Sequence, residues 1–298
     1  MPFETYIPRK FSSSNREVID AANEIIEEYR NQGFVLILRQ LYYQFVARNL
    51  MPNLQKEYNR LKSIISKGRL AGLIDWEAIE DRTRYLRKAS HWNSPREIID
   101  SCAASFAIDK WETQPCRVEV WIEKDALLGV IEPACIELDV PYFSCRGYTS
   151  QSEQWRAGKR FIGHLDNGQD VIVLYLGDHD PSGVHMTEDH RRRLSMFTGQ
   201  TVEVRRLALN MAQIEEFNPP PNPAKMTDTR TNAYIMEFGN DCWELDALEP
   251  TVIDGLIRKA VAELRDEERW EEAVREEQRG RALLGKCAAQ WGDIAADL

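Results

Sequence analysis

Three acidic residues follow short apolar segments, in the pattern of a site for a divalent cation. Glu123 comes directly after the segment 118–122, and Asp178 and Asp180, spaced i and i+2, come after 171–176. Mg²⁺ prefers carboxylate oxygens, keeps several waters and bridges readily to phosphate. The three carboxylates therefore predict a Mg²⁺ site, in which Mn²⁺ could substitute, for chemistry on a phosphate ester.

The elements that position these acids have the pattern of a parallel sheet. Strands are predicted at 118–122, 140–144, 171–176 and 202–207, and amphipathic helices alternate with them at 125–138, 150–165 and from 181 to about 195. Such alternation indicates parallel strands joined by crossover helices. Functional groups in these sheets lie beyond the carboxyl ends of the strands. The alternative is that Asp178 and Asp180 are loop carboxylates that cap the next helix, with Pro181 in its first turn.

The first part of the chain has helical periodicity instead. A helix capped by Ser14 or Asn15 is predicted to end at Gly33, and two more are predicted at 36–49 and 54–71, before a return and basic wing at 74–87. Three helices with a basic third one resemble a winged-helix unit, which places its third helix in the DNA major groove. The alternative is a helical bundle with a solvated basic face. The candidate DNA-binding residues on the third helix are Lys56, Arg60, Lys62, Lys67 and Arg69.

Charge is divided unevenly along the 298 residues. The net charge of −10 argues against a general nucleic-acid binder, yet residues 1–110 carry 17 Lys and Arg against 14 Asp and Glu, and the remainder carries 21 against 34. The length and this split predict two domains, 1–112 and 113–298. The six scattered cysteines indicate neither a disulfide framework nor a zinc site. No apolar segment approaches the about 20 residues of a membrane span, so we expect a cytoplasmic protein without a membrane partner.

Two motifs, in order along the chain, resemble a known family. The succession of strand, Glu123-Lys124-x-Ala126, helix, strand, helix, strand and Gly177-Asp-x-Asp-Pro-x-Gly183 is similar to the Toprim domain of topoisomerases, primases and some nucleases. The Asp-x-Asp-Pro-x-Gly form resembles that of the topoisomerase VI A subunit and the related meiotic double-strand-break transesterase. In that family a winged-helix domain with the catalytic tyrosine precedes the Toprim domain. Arg39-Gln-Leu-Tyr42-Tyr43 lies in the corresponding place.

The resemblance implies a fold and a reaction. The fold would be α/β, with an N-terminal winged-helix-like domain followed by a Toprim domain that has a helical C-terminal extension. Tyr43 matches the nucleophile and Arg39 the arginine that assists it, while Glu123, Asp178 and Asp180 match the metal-binding acids. The family cleaves double-stranded DNA with Mg²⁺ through a tyrosyl-phosphodiester.

The resemblance also implies partners. A homodimer is implied, because in the family the tyrosine of one protomer meets the metal site of the other. A separate ATPase B-type subunit would be a further partner, and the chain resembles the short, stand-alone family members of phages and mobile elements.

Two other functions stay open. In a hydrolytic Toprim nuclease water attacks and Tyr43 only packs, and in a non-catalytic DNA-binding protein the metal site is unused. Several residues also have structural interpretations. Tyr42 is expected to be the core member of the tyrosine pair, and His179 to be an outward loop residue. The stretch with Lys225, Asp228 and Arg230 is either a loop beside DNA or plain surface. The segment 243–248 resembles the acidic-Ala-Leu segment late in the family's Toprim domain, or is structural. The segment 251–281 is predicted to be one charged, solvated or dimer-flanking helix.

Overall fold

The computed structural model describes residues 3–79, 89, 91–223 and 230–291. Most of the predicted basic wing at 74–87 lies outside these residues, as do Lys225 and Asp228. The described part is a mixed α/β structure built on one four-stranded sheet. No helix within it is long and apolar enough to cross a membrane.

The four-stranded sheet is parallel, as the alternation of strands and helices predicts. Its spatial order is β2-β1-β3-β4, and Ile122 pairs with Leu176 on one side and with Ser144 on the other. The two central strands are almost wholly buried, because helices cover both faces and apolar side chains are needed on each. Both central strands end at the same edge, where Glu123 and Asp178 follow them. The strands are β1 (Cys116–Ile122), β2 (Tyr142–Ser144), β3 (Asp170–Leu176) and β4 (Glu203–Ala208).

Two helices pack on each face of this sheet. On one face Val118 and Leu174 pack in an apolar cluster with Ile131 and Ile257, and on the other Trp121 and Val173 pack with Phe161 and Leu194. The first cluster is formed with α5 (Leu128–Glu137) and α10 (Pro250–Leu264), and the second with α6 (Gln151–Asp166) and α7 (Pro181–Thr198).

The prediction of one charged helix over 251–281 is wrong. The segment forms two helices, α10 and α11 (Glu267–Ala289), because Asp266 caps a new helix by accepting a hydrogen bond from Arg269 N at 3.2 Å. Gln114 fixes the break, since its side chain bonds both Asp266 N and Asp266 O. Far from being solvated, α10 buries an apolar face in the core. The remaining helix of this part, α4 (Pro95–Ser105), packs along α11.

The first part of the chain is a unit of three helices around its own apolar core, in which Ile19, Leu41 and Leu61 are fully buried. Its first helix is capped by Ser12 rather than by Ser14 or Asn15, because the Ser12 hydroxyl accepts a hydrogen bond from Asn15 N. The helices are α1 (Ser13–Asn31), α2 (Leu38–Ala47) and α3 (Gln55–Leu70).

Small elements close the sheet edge near the acids. The pair β5 (Asn222–Pro223) and β6 (Asp241–Cys242) is antiparallel, and two short helices, α8 (Met211–Phe217) and α9 (Thr231–Phe238), lie before and between them. Just after β6, a 3₁₀ turn at Leu245–Ala247 contacts α2. This turn is where the three-helix unit meets the edge of the sheet.

Candidate active site

Glu123 and Asp178 lie side by side at the ends of β1 and β3. The backbone N–H of Glu123 continues the strand pairing to Leu176 O at 2.8 Å, and its carboxylate Oε2 accepts a hydrogen bond from Asp178 N at 2.9 Å. The predicted convergence of an acid from each strand is therefore present in the fold.

Asp180 sits in the same loop but caps a helix. Its Oδ1 accepts a hydrogen bond from Gly183 N at 2.6 Å, and Pro181 occupies the first turn of α7. The chain can turn so tightly only with glycine at 183, because a Cβ there would meet Asp178 O at 2.1 Å. One oxygen of Asp180 therefore caps the helix, as the alternative interpretation predicts. The negative charge of Asp180 also raises the pKa of Glu123.

Arg206 fixes the conformation of this loop through several hydrogen bonds. No pattern in the sequence predicts this role. Its guanidinium donates to the carbonyl oxygens of Gly177, Asp178 and Gly183, and to the Thr187 hydroxyl. Backbone carbonyls at a turn need such donors when water is excluded. Arg206 also adds positive charge beneath the acids.

The Lys124 ammonium lies among three carboxylates. Nζ is 3.0 Å from Asp178 Oδ1, 3.1 Å from Glu244 Oε2 and 3.2 Å from Asp246 Oδ1. Burial alone would lower the pKa of Lys124, but the charges of Asp178, Asp246 and Glu244 raise it well above its usual value. Lys124 is therefore a permanent cation at the centre of the cluster.

Glu244 and Asp246 reach the site through a backbone bridge that sequence reasoning missed. His179 and Trp243 exchange hydrogen bonds, with N–O distances of 2.8 and 3.0 Å, and so carry the next residues to the acids. Leu245 N then donates to Asp178 Oδ1 at 2.8 Å. The segment 243–248, for which the sequence left both the Toprim resemblance and a structural role open, supplies two carboxylates to the cluster.

Arg39 connects α2 to these carboxylates. It contacts both oxygens of Glu244, at 2.7 and 2.8 Å, and its Nε is 3.5 Å from Asp246 Oδ2. Its guanidinium also lies over the ring of Tyr43, 5.7 Å from the centroid, as their i and i+4 spacing allows. The two motif regions, some 80 residues apart, thus meet in one place.

Both tyrosines of the pair are buried, in different surroundings. Tyr42 packs in the core of the three-helix unit, as predicted, and its hydroxyl accepts from Leu54 N and donates to backbone oxygen. Tyr43 is only 2% exposed and faces the sheet edge. Burial raises the pKa of Tyr43 to about 12, helped by the charge of Glu244 and opposed by Arg39 and by a hydrogen bond with Asn222. The resting phenol is protonated.

The interpretation of His179 as an outward loop residue is wrong. It is 3% exposed, packs against Phe238 and Trp243, and places Nδ1 2.7 Å from the Tyr234 hydroxyl. Burial lowers the pKa of His179 to about 4, so it is neutral. Its backbone bridge to Trp243 explains its position in the motif without any contact to metal or phosphate.

Burial and neighbouring negative charge raise the pKa values of the two acids at the strand ends. Burial raises the pKa of Glu123 to about 7, and the neighbouring charge of Asp178 adds to the effect. Burial also raises the pKa of Asp178 to about 6, although Lys124 opposes it. Both carboxyls would gain from a cation placed between them.

The oxygens that remain at this edge suit a water-rich Mg²⁺ site. Within the described ranges, Glu123 Oε1, Asp178 Oδ2 and Asp180 Oδ2 accept no hydrogen bond, and no three His, Cys, Asp or Glu side chains are grouped to hold a metal by themselves. Mg²⁺ typically takes one or two carboxylates, several waters and a substrate phosphate rather than a protein cage. Glu123 and Asp178 fit that requirement.

An open cavity of about 420 Å³ gives access to the acids. It is lined by Glu123, Lys124 and Asp178 on one side and by Arg39 and Arg146 on others. Arg146 is highly exposed and pairs with Asp125 at 3.1 Å. The volume is in the range of ligand-binding sites.

The basic residues of α3 divide into two groups. Lys56, Arg60 and Lys67 are exposed and recur at helical spacing on one face, and Lys62 is exposed on another. Arg69 does not face outward, because its guanidinium donates to Ile79 O and lies over the Trp76 ring.

Arg230 is the one of the three residues singled out in the stretch 225–230 that the structure describes. It contacts Tyr148 and lies 3.3 Å from the Ser182 hydroxyl.

Comparison with protein-family models, with curated proteins and with solved structures finds no match. The residues of the site are therefore the basis on which a function can be assigned.

The raised pKa of Glu123 predicts a pH-dependent effect of Glu123→Gln. Between the ordinary value of 4.5 and about 7 the folded chain binds more protons than the unfolded chain, so stability falls as the pH rises through this window. Without divalent ions, Glu123→Gln should stabilise at pH 8, by on the order of 2 kcal/mol, and have little effect near pH 4.5. Urea unfolding at both pH values measures this.

Glu119→Gln is the matched control in the same strand. Glu119 is bound by Arg160 at 2.8 and 3.0 Å and by Trp121, so the substitution should destabilise at pH 8. Equal loss of stability in both variants at pH 8 would show that Glu123 carries no excess charge.

Proposed function

We propose that the protein cleaves double-stranded DNA in a Mg²⁺-dependent reaction in which the Tyr43 phenol attacks a phosphodiester. The observation that supports this most is the meeting of two distant motifs. Arg39 beside Tyr43 binds Glu244, which binds Lys124, which binds Asp178 next to Glu123. A tyrosine, a phosphate-binding arginine and paired carboxylates are the residue types that such a transesterification needs.

The reaction conserves the broken bond in a covalent intermediate. The Tyr43 oxygen forms a bond to phosphorus, the bond from phosphorus to one sugar oxygen breaks, and that oxygen takes up a proton as the phenol loses one. The proton passes from the phenol to the leaving sugar oxygen through solvent, because Glu123 would be ionised while it holds the cation. Mg²⁺ bound at Glu123 and Asp178 supplies positive charge against the phosphate oxygens.

Tyr43 must become accessible for this reaction. At 2% exposure and with a pKa of about 12, the phenol is unreactive until α2 and the turn after β6 separate. A DNA phosphate competes with Glu244 for Arg39, because guanidinium binds both groups in the same bidentate way. Release of Arg39 would then free the tyrosine, to act on its own site or on that of a second copy in a homodimer.

The burial of Tyr43 also favours a second candidate, a hydrolytic nuclease. In that reaction water attacks phosphorus, and the ion that Glu123 and Asp178 would hold would lower the pKa of a bound water. Tyr43 would then only pack between α2 and the edge of the sheet. The two reactions use the same metal site and differ in the fate of the tyrosine.

A covalent adduct assay separates the two reactions. End-labelled duplex DNA is incubated with the protein and Mg²⁺ or Mn²⁺, and protein-linked label is detected after denaturation. We expect an adduct with the wild type, none with Tyr43→Phe, and loss of all cleavage with Glu123→Gln and with Asp178→Asn, because the metal oxygens are removed.

Tyr148→Phe is the control, since Tyr148 is an exposed tyrosine beside the site and should leave the adduct intact. Equal cleavage by wild type and Tyr43→Phe without adduct would establish hydrolysis instead. DNA binding with no cleavage in either metal would contradict both reactions and leave a non-catalytic DNA-binding protein.

The exposed face of α3 is proposed to contact the DNA backbone. Changing Lys56, Arg60 and Lys67 together to Ala should weaken binding for all sequences. It should also lower the slope of log affinity against log salt by about 3, since each phosphate contact contributes about 1. Fluorescence anisotropy of labelled duplex at several salt concentrations measures the slope.

The control is an equal triple change to Ala on α11, at Arg275, Arg279 and Lys286. An equal loss of slope in that variant would contradict a specific role for α3.

A further inference from the structure

The position of the Lys124 ammonium resembles that of a metal ion more than that of a surface lysine. Three carboxylates, from Asp178, Glu244 and Asp246, come within 3.0–3.2 Å of its Nζ. Lys124 side chain exposure is 21%, and that of Asp246 is 3%. A compact ammonium is the side-chain cation that best substitutes for a small ion.

The buried carboxylate of Asp246 requires a cation at this position. Its Oδ1 is buried without any hydrogen-bond partner, although it lies 3.2 Å from Lys124 Nζ. The three N–H groups of Lys124 do not meet every oxygen around it in good geometry. That oxygen is buried beside the ammonium in an ion pair without hydrogen-bond geometry, so its charge is balanced only while a cation occupies this position.

Asp178 divides its two oxygens between two cation positions. Oδ1 faces Lys124 and Leu245 N, while Oδ2 accepts no hydrogen bond among the described residues and is the oxygen open to an ion shared with Glu123. In two-metal sites, the ions lie about 3.5–4 Å apart. In such sites a single carboxylate commonly bridges the two ions, with one oxygen bound to each.

The charge count agrees with one ion beside Lys124. Five carboxylates face three side-chain cations, which leaves an excess of two negative charges that a single divalent ion balances. The acids are Glu123, Asp178, Asp180, Glu244 and Asp246, and the cations are Lys124, Arg39 and Arg206.

We infer that Lys124 takes the place of a second metal ion, so that each chain binds one divalent ion at Glu123 and Asp178 and its own ammonium serves as the other cation. The inference rests on the proposed metal site and goes beyond it by fixing the number of ions. Removal of the ammonium should open a second ion site at Asp178, Glu244 and Asp246.

Mn²⁺ titration followed by electron paramagnetic resonance counts the ions without DNA or turnover. The free-ion signal is lost on binding, so the stoichiometry can be read directly. We expect one ion per chain for the wild type, two for Lys124→Met, and one for Lys124→Arg, which retains the charge. In Lys124→Met with Asp246→Asn, the number should return to one, because the second site loses a carboxylate.

The outcomes separate the inference from the function on which it rests. One ion in Lys124→Met, or two in the wild type, would overturn the inference and leave the proposed metal site standing. No bound ion in the wild type would overturn both. Circular dichroism checks folding, and Lys124→Gln, which keeps a hydrogen-bond donor toward Asp178, replaces Lys124→Met if that variant does not fold.

Discussion

Repulsion among carboxylates at one edge of the parallel sheet is the constraint on which the rest of the site depends. The ends of β1 and β3 and the turn after β6 bring five acids together, and half-buried carboxylates in such numbers are unfavourable unless cations accompany them. Lys124 takes the centre of the cluster, Arg206 lies beneath the loop, and Arg39 approaches from the three-helix unit. Burial raises the pKa of Glu123, the negative charge that remains adds to this effect, and the same charge supports the proposed Mg²⁺.

The same charges couple the two parts of the chain. Arg39 belongs to the three-helix unit but finds its partners, Glu244 and Asp246, at the edge of the sheet. Arg39 also lies over the ring of Tyr43, which is buried. A ligand that takes Arg39 from Glu244 would change the charge balance at this edge and remove Arg39 from the ring of Tyr43. We therefore expect binding of a phosphate backbone and access to Tyr43 to be linked.

Much of the fold could be predicted from the sequence, because its signals are local. Apolar segments flanked by acids and glycines predict β1 and β3, and periodicity predicts α1 to α3 within a few residues. The break at Asp266 was missed because it depends on Gln114, far away in the chain. Glu123 and Asp178 were found from their strands, whereas the part of Glu244 and Asp246 was missed. Their placement depends on the bridge from Trp243 to His179, which has no local pattern. The winged-helix and Toprim assignments stay predictions.

We propose two neighbouring cation positions at this edge of the sheet, one for a divalent ion held by Glu123 and Asp178 and one occupied by Lys124. Crystals soaked in Mn²⁺ and measured near the manganese absorption edge would locate the ion by its anomalous scattering. The account predicts one peak within coordination distance of Glu123 and Asp178 and none between Glu244 and Asp246. A peak between Glu244 and Asp246 with Lys124 displaced, or no peak at this edge of the sheet, would contradict it.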